Sequence, residues 1–349
     1  MKPYSFYELL PNGKMRFFVD ATLLKDFGIC ERRFWYRHIQ RQKRKPRLIQ
    51  IQGQKTFETT DYLSFPIAIG GWWSDVMERF YNLMKDNVPI TDDVVKEIVL
   101  KAWVDNRLDL GNQIDPKKFT KFGDLLGAVV MLKEYKDSQY SIDKSIWKIV
   151  GTEMGFGLRK EVFVGETNKV EVYWVGRPDL GVIESGRLLP VDHKTVNRID
   201  GRTTGRFKPG LQMPGYCFSF ETIAKELGID RRVDRCVVNI CARERPSDNP
   251  RDGKKKPRFV RAYPTFTREE IEEWRRNVVN TCERIAHCLR TQEWQWGYSS
   301  CHNIFMRDCE YLEVDDATPM ARDLILKASY VVGEPWIPYV KPEEEGDEE

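Results

Sequence analysis

The chain changes its hydrophobic period part-way along. From Ile67 to Lys85 apolar side chains recur at helical spacing, with Trp72, Val76, Phe80 and Leu83 on one stripe. Thr91-Asp92-Asp93 reads as the start of a second helix reaching about Asn106, with Val94, Ile98 and Trp103 turned inward. A third helix is expected from about Phe119 to Ser138. The period then shortens to two. Ile146 to Met154, Val170 to Val175 and Leu188 to Asp192 read as strands, with the alternation Val170, Val172, Trp174 clearest. Glu184-Ser185-Gly186-Arg187 supplies a hairpin turn between the second and third of these. A helix from about Leu211 to Leu227 follows, then strands at Val233 to Ala242 and Arg258 to Phe266. Thr267-Arg268-Glu269-Glu270 is a capping box for a last helix ending near Gln292. A further hairpin is expected at the extreme N-terminus. The order predicts an α/β fold with helices on a central mixed sheet, not a doubly wound parallel one.

With 41% hydrophobic and 12% aromatic residues in 349, the chain can bury a sizeable core, which argues against a disordered protein. The formal charge of +3 hides local contrast. Arg41-Gln42-Lys43-Arg44-Lys45-Pro46-Arg47 and Lys254-Lys255-Lys256-Pro257-Arg258 read either as phosphate contacts or as solvated loops. The acidic stretch Glu343 to Glu349 reads as a solubilising tail. No segment reaches the ~18 apolar residues of a transmembrane helix, and Met1-Lys2-Pro3-Tyr4 opens no signal peptide. A cytoplasmic setting is therefore expected, with the eight cysteines as thiols or metal ligands.

Two short segments carry the candidate chemistry: Gly176-Arg177-Pro178-Asp179 and Val191-Asp192-His193-Lys194-Thr195. Carboxylates at the ends of adjacent strands can hold a hard divalent cation through oxygen, and a lysine beside them can orient or help deprotonate a water. Gln212 and Tyr216 stand four apart on the following helix and so share a face from which to touch a nucleic-acid strand. Taken singly, the same residues read as a surface ion pair and a core aromatic.

Together, Gly-x-x-Asp, Asp-x-Lys and Gln-x-x-x-Tyr in this order resemble the RecB/AddB-like branch of the PD-(D/E)XK nuclease superfamily, which includes phage-type and CRISPR-associated adaptation exonuclease relatives. The resemblance implies a restriction-endonuclease-like core at 67–292 with a helical insertion at 87–140. It also implies an N-terminal segment at 1–66, a C-terminal lobe at 293–340 packed on it, and an acidic tail at 341–349. It implies Mg²⁺ or Mn²⁺ held by Asp179, Asp192 and the His193 backbone carbonyl, with Glu78 and Glu153 as further candidates. Lys194 would position the attacking water, and Gln212 and Tyr216 would orient the strand. The family pattern also carries a histidine on the first helix. Here Gly70-Gly71-Trp72-Trp73-Ser74 places Ser74 there.

Cys30-Glu31-Arg32-Arg33-Phe34-Trp35-Tyr36 is similar to the cluster-binding segment of the iron–sulfur members, which implies a [4Fe–4S] site through Cys30, Cys301 and Cys309. The last cysteine of that pattern is absent. Either Cys282, Cys288 or His302 supplies the fourth ligand, or the lobe is held by packing of Trp35, Tyr36, Trp294 and Trp296. The expected function is a metal-dependent DNA nuclease, an exonuclease by resemblance, in recombination, end processing or phage DNA metabolism. DNA and a helicase or recombination protein would be its partners, in a bacterial or phage-infected cell. The rival expectation is a weak or inactive DNA-binding or assembly protein that keeps the fold, and an RNA-directed nuclease is a third.

Overall fold

The computed structural model describes residues 6–45, 47–51, 54–58, 65–106, 125–155, 163–164, 169–229, 232–243, 257–297, 299, 301–302 and 308–335. Lys254, Lys255, Lys256, Tyr298, the acidic tail and the start of the expected third helix lie outside the described residues. The chain divides into two compact units, Met1–Thr60 with Phe156–Gly176 and Glu272–Glu349, and Asp61–Gly155 with Arg177–Ile271.

The second unit is built on a five-stranded mixed sheet. Its strands are β6 (Lys148–Thr152), β9 (Leu180–Glu184), β10 (Arg187–Val196), β11 (Val237–Ala242) and β12 (Phe259–Ala262), in the spatial order β12-β11-β10-β9-β6. The β10–β11 pair is parallel and the other pairs are antiparallel. Ser185 and Gly186, at φ 51° and 78°, close the β9–β10 hairpin as two left-handed residues, the geometry that matches strand twist. The turn falls where the sequence places it, but the strand entering it does not. Leu180–Glu184 pairs with β10, whereas Val170–Trp174 belongs to the other unit. Leu180, Gly181 and Val182 are buried in succession, so they lack the alternation that marks a half-buried strand. Gly181 lets Met154 lie against the strand: a Cβ there would overlap the Met154 sulfur, so any larger residue displaces that side chain.

Helix α3 (Phe65–Lys85) packs on β10 and β6, and α4 (Asp92–Asp105) packs on α3 and on α5 (Leu125–Tyr135). Thr91 caps α4 as expected, its hydroxyl accepting from the Val94 N–H at 3.3 Å. Trp72, Trp73, Val76, Met77, Phe80 and Tyr81 of α3 are buried with Ile98, Val99, Met131 and Leu132 in one core. Helix α7 (Gln212–Glu226) packs on β10. His193 stacks on Tyr81 of α3, while its neighbour Asp192 faces Tyr216 of α7. Because adjacent strand residues point to opposite faces, α3 and α7 lie on opposite sides of β10.

A polar network runs through this core. Asp143 accepts from the hydroxyls of Tyr81 (2.8 Å) and Tyr135 (3.2 Å) and pairs with Arg261. Asn239 donates to Tyr135 at 2.7 Å and lies 3.2 Å from Nδ1 of His193. Arg261 also lies over the Trp147 ring, 4.2 Å from its centroid.

In the first unit, β1 (Tyr7–Leu9) and β2 (Met15–Val19) form the expected N-terminal hairpin, and β2 runs parallel to β8 (Val170–Trp174). The long helix α8 (Arg268–Thr291), which belongs to this unit from Glu272 onward, opens on the expected capping box at the end of the second unit's sequence: Glu270 N–H donates to the Thr267 hydroxyl, and Thr267 N–H to the Glu270 carboxylate. Among the described residues, no helix is long and apolar enough to cross a membrane.

Candidate active site

Strand β10 continues past its hairpin partner. β9 begins at Leu180, opposite Val191, so the β9-side edge of β10 is left for side chains at residues 192–194. Asp179, immediately before β9, fills that edge: its Oδ2 accepts the His193 N–H at 2.5 Å. The other oxygen accepts from the Ser74 hydroxyl of α3 at 2.7 Å. Ser74 therefore orients Asp179 by hydrogen bonding, a contact that sequence spacing alone did not signal. Asp75 is drawn off by Arg79 (2.8 Å) and Asn106 (2.9 Å).

Asp192 is 3% exposed. Its Oδ2 pairs with Lys194 Nζ at 2.7 Å, so the Asp192–Lys194 pair is buried at the carboxylate end, not the surface pair that a single-motif reading expects. Its Oδ1 lies 3.4 Å from both the Gln212 amide nitrogen and the Tyr216 hydroxyl, which are themselves linked at 2.7 Å. One turn of α7 thus braces one carboxylate oxygen, and Lys194 takes the other. Burial, together with the negative charge of Asp192 and Asp179, pushes the Tyr216 hydroxyl well above its usual range, so it stays a neutral donor.

Four carboxylates act on one another here. Burial raises Asp192, Lys194 opposes that rise, and Asp179 adds to it. Glu153 is pushed up to about 7 by burial, with Arg177 opposing and Asp179 and Glu78 reinforcing. Glu78 is raised by burial and by Asp75 and Asp179. Glu153 is further fixed by a left-handed backbone (φ 47°) and by its N–H, which donates to the Asp179 carbonyl at 2.8 Å. Arg177 pairs with its carboxylate. Burial lowers His193 to about 3, so its ring is neutral and its place is in the core network, not among the charges.

Among the described residues, no group of three or more His, Cys, Asp or Glu side chains is set for a metal ion. The donor chemistry nevertheless fits a hard cation: carboxylate oxygens raised by burial and mutual repulsion are the groups that a divalent ion would relieve.

The cysteines of the first unit behave differently. Cys30 Sγ accepts from the Arg33 N–H (3.4 Å) and the Gly297 N–H (3.3 Å), and Cys309 N–H donates to the Cys301 carbonyl at 2.8 Å. Burial raises both Cys301 and Cys309, the latter to about 11, and Cys30 adds to each. Among the described residues, no fourth ligand joins them. Cys288 is turned onto the Glu31 carboxylate at 3.5 Å, Cys282 is fully buried, and His302 faces Asp308 at 3.2 Å. These residues do not fit a four-ligand cluster. Packing ties the lobe instead. Tyr36, Tyr311 and Tyr330 stack in series with centroids 5.0 and 5.5 Å apart, Arg32 pairs with Asp315 at 2.9 Å and also covers Trp296, and Trp294 stacks on Phe34. β3 (Gln42–Arg44) pairs with β13 (Tyr330–Val332) beside them.

No match is found among curated proteins. The family model described as the PD-(D/E)XK nuclease superfamily matches residues 21–314, and the chain belongs to that superfamily of nucleases.

Proposed function

We propose that the protein is a Mg²⁺- or Mn²⁺-dependent deoxyribonuclease, and an exonuclease, that cleaves phosphodiester bonds at the β10 edge. The observation that carries this reading is the convergence of Lys194, Gln212 and Tyr216 on the Asp192 carboxylate, with Asp179 hydrogen-bonded to the next peptide. Asp179 and Asp192 would hold the cation. The His193 carbonyl would join them, because in a strand the N–H and C=O of one residue point to the same edge, here the edge occupied by Asp179. Glu78 and Glu153 would complete the acidic surround. The bound ion would polarise the scissile phosphate and lower the pKa of an attacking water.

The protein's own groups then divide the work. Ser74 keeps Asp179 turned toward β10. Lys194 stays protonated: burial works against its charge, but Asp192 and Asp179 hold it above its usual range. From that state it can donate to the water or to a non-bridging phosphate oxygen as charge develops. Gln212 and Tyr216 orient Asp192, and Gln212, half-buried at the start of α7, would also reach the strand. The motif order supports a RecB/AddB-like setting: recombination, end processing or phage DNA metabolism beside a helicase in the cytoplasm.

The direct test is cleavage of end-labelled linear duplex and single-stranded DNA in Mg²⁺, in Mn²⁺ and in EDTA. Cleavage in either metal that stops in EDTA is expected. No cleavage in any metal by protein that is folded and pure would sink the proposal and leave the inactive-scaffold reading.

Cation binding has a readout independent of turnover. The Glu153 carboxyl has a folded pKa of about 7 against an ordinary 4.5, so its contribution to stability is full below about 4.5 and is lost as pH rises through about 7. In EDTA, the wild type is therefore expected to lose about 1–2 kcal/mol relative to Glu153→Gln between pH 5 and pH 7.5, after allowance for solvent screening. Mg²⁺ is expected to shrink that difference. Thermal melts of both proteins with and without Mg²⁺ check it, and identical pH curves for the two would refute it.

A further inference from the structure

We infer that the loop between Lys194 and Gln212 is the track on which the DNA strand's phosphates lie, an assignment that rests on the nuclease reading. Residues 197–211 join the end of β10 to the start of α7, so they border the candidate site on both sides in sequence within one unit. The loop carries Arg198, Arg202, Arg206 and Lys208 against the single carboxylate of Asp200. All four cations are exposed.

The loop is built, not slack. Asp200 N–H donates to the Thr203 hydroxyl (2.9 Å), that hydroxyl donates to Asp200 Oδ1 (2.7 Å), and Arg202 N–H donates to the same oxygen (2.9 Å). Thr203 is fully buried beneath them. The one acid in the loop is thereby spent on its own backbone, apart from a 3.3 Å pair with Arg206. Where the loop begins, Arg243 N–H donates to the Val196 carbonyl at 2.8 Å, and the Arg243 side chain bonds Asn197. At the far end Lys208 is tied to the Thr265 carbonyl (2.6 Å) and to Glu270 (2.7 Å), which withdraws it from phosphate contact.

Reach agrees with this assignment. Arg198 is four positions beyond Lys194, so their Cα atoms are at most about 14 Å apart. Phosphates of one strand succeed one another every ~3.4 Å of axis, so Arg198 lies within about four phosphates of the scissile one. Arg198 and Arg202 would bind backbone oxygens without reading bases.

The experiment uses the full chain and fluorescein-labelled single-stranded DNA, with anisotropy in EDTA across a salt series and steady-state cleavage in Mg²⁺. Arg198→Ala/Arg202→Ala is expected to weaken binding at least tenfold and flatten the log-affinity against log-salt slope by about 1.4, the two-contact value for single strands. KM is expected to rise in step while kcat changes less than threefold. Arg202→Glu should weaken binding further, and Lys208→Ala should leave it nearly unchanged. Because both arginines are exposed, unaltered melting temperatures are expected and confirm folding. Wild-type cleavage with affinity and slope unmoved in the double variant would overturn the loop assignment and spare the nuclease reading. A wild type that neither binds nor cleaves DNA would remove both.

Discussion

Lys194→Ala is expected to lower kcat for DNA cleavage by a factor on the order of 10³, the loss seen when one preorganised donor to developing charge is removed. The substitution removes the cation from a carboxylate that is 3% exposed, so a second effect follows. Burial already raises Asp192 and Lys194 is the main group opposing that rise; without it Asp192 takes up a proton more readily. Apparent Mg²⁺ affinity is therefore expected to become more pH-dependent, weakening as pH falls from 8 to 6, while the wild type changes less. Lys194→Arg keeps the charge but replaces a compact ammonium with a planar fork, and should recover Mg²⁺ affinity while regaining little of kcat. Single-turnover kinetics with Mg²⁺ titrations at pH 6 and pH 8 separate these effects. An Ala variant within tenfold of wild type in kcat would remove Lys194 from the chemistry.

The parts of this site that were legible in sequence are those whose chemistry sits in short local patterns. Asp192-x-Lys194 places both side chains on one strand face, and Gln212 and Tyr216 share one helix face, so spacing alone brought each pair together. Their meeting on a single carboxylate came from packing α7 on β10, which no local pattern encodes. Ser74 illustrates the limit. Its position on α3 was visible as a departure from a family pattern, but its bond to Asp179 depends on how the helix lies over the β10 edge. Strand β9 was hidden because a strand buried on both faces loses its period-two signal, and the clear alternation of Val170–Trp174 drew the hairpin assignment away from it. The cysteine motif at Cys30 is expected by resemblance to hold a cluster with C-terminal cysteines; in the structure Cys309 and Tyr311 pack against Tyr36. What holds them there is a tyrosine stack and ion pairs, which have no spacing signature.

The least legible feature, the buried network beneath His193, has the largest expected effect on folding. Asp143 is fully buried and the Arg261 side chain is 10% exposed; nothing in helix or strand periodicity marks either. Burial raises the Asp143 pKa, and Arg261 with the two tyrosine hydroxyls opposes that rise. Arg261→Met would leave the carboxylate buried without its counter-charge, which is expected to cost about 3–5 kcal/mol at pH 7. For a unit of this size that corresponds to a fall of about 10 °C in melting temperature. The sign of the pH dependence follows from the raised carboxyl: the penalty should shrink as pH drops and Asp143 takes up a proton. Replacing both charges, Arg261→Met with Asp143→Leu, should destabilise less than Arg261→Met alone, because no lone charge remains. The consequence reaches the site through Asn239 and Tyr81, which hold the His193 ring from two sides. His193 supplies the N–H that anchors Asp179, so loosening its ring is expected to weaken Mg²⁺ binding even at temperatures where the variant is fully folded. Denaturant melts of the single and double variants at pH 5.5 and 7.5, with Mg²⁺ titrations at 15 °C, test both halves. A double variant no more stable than Arg261→Met would show that packing, not the unpaired charge, sets the cost.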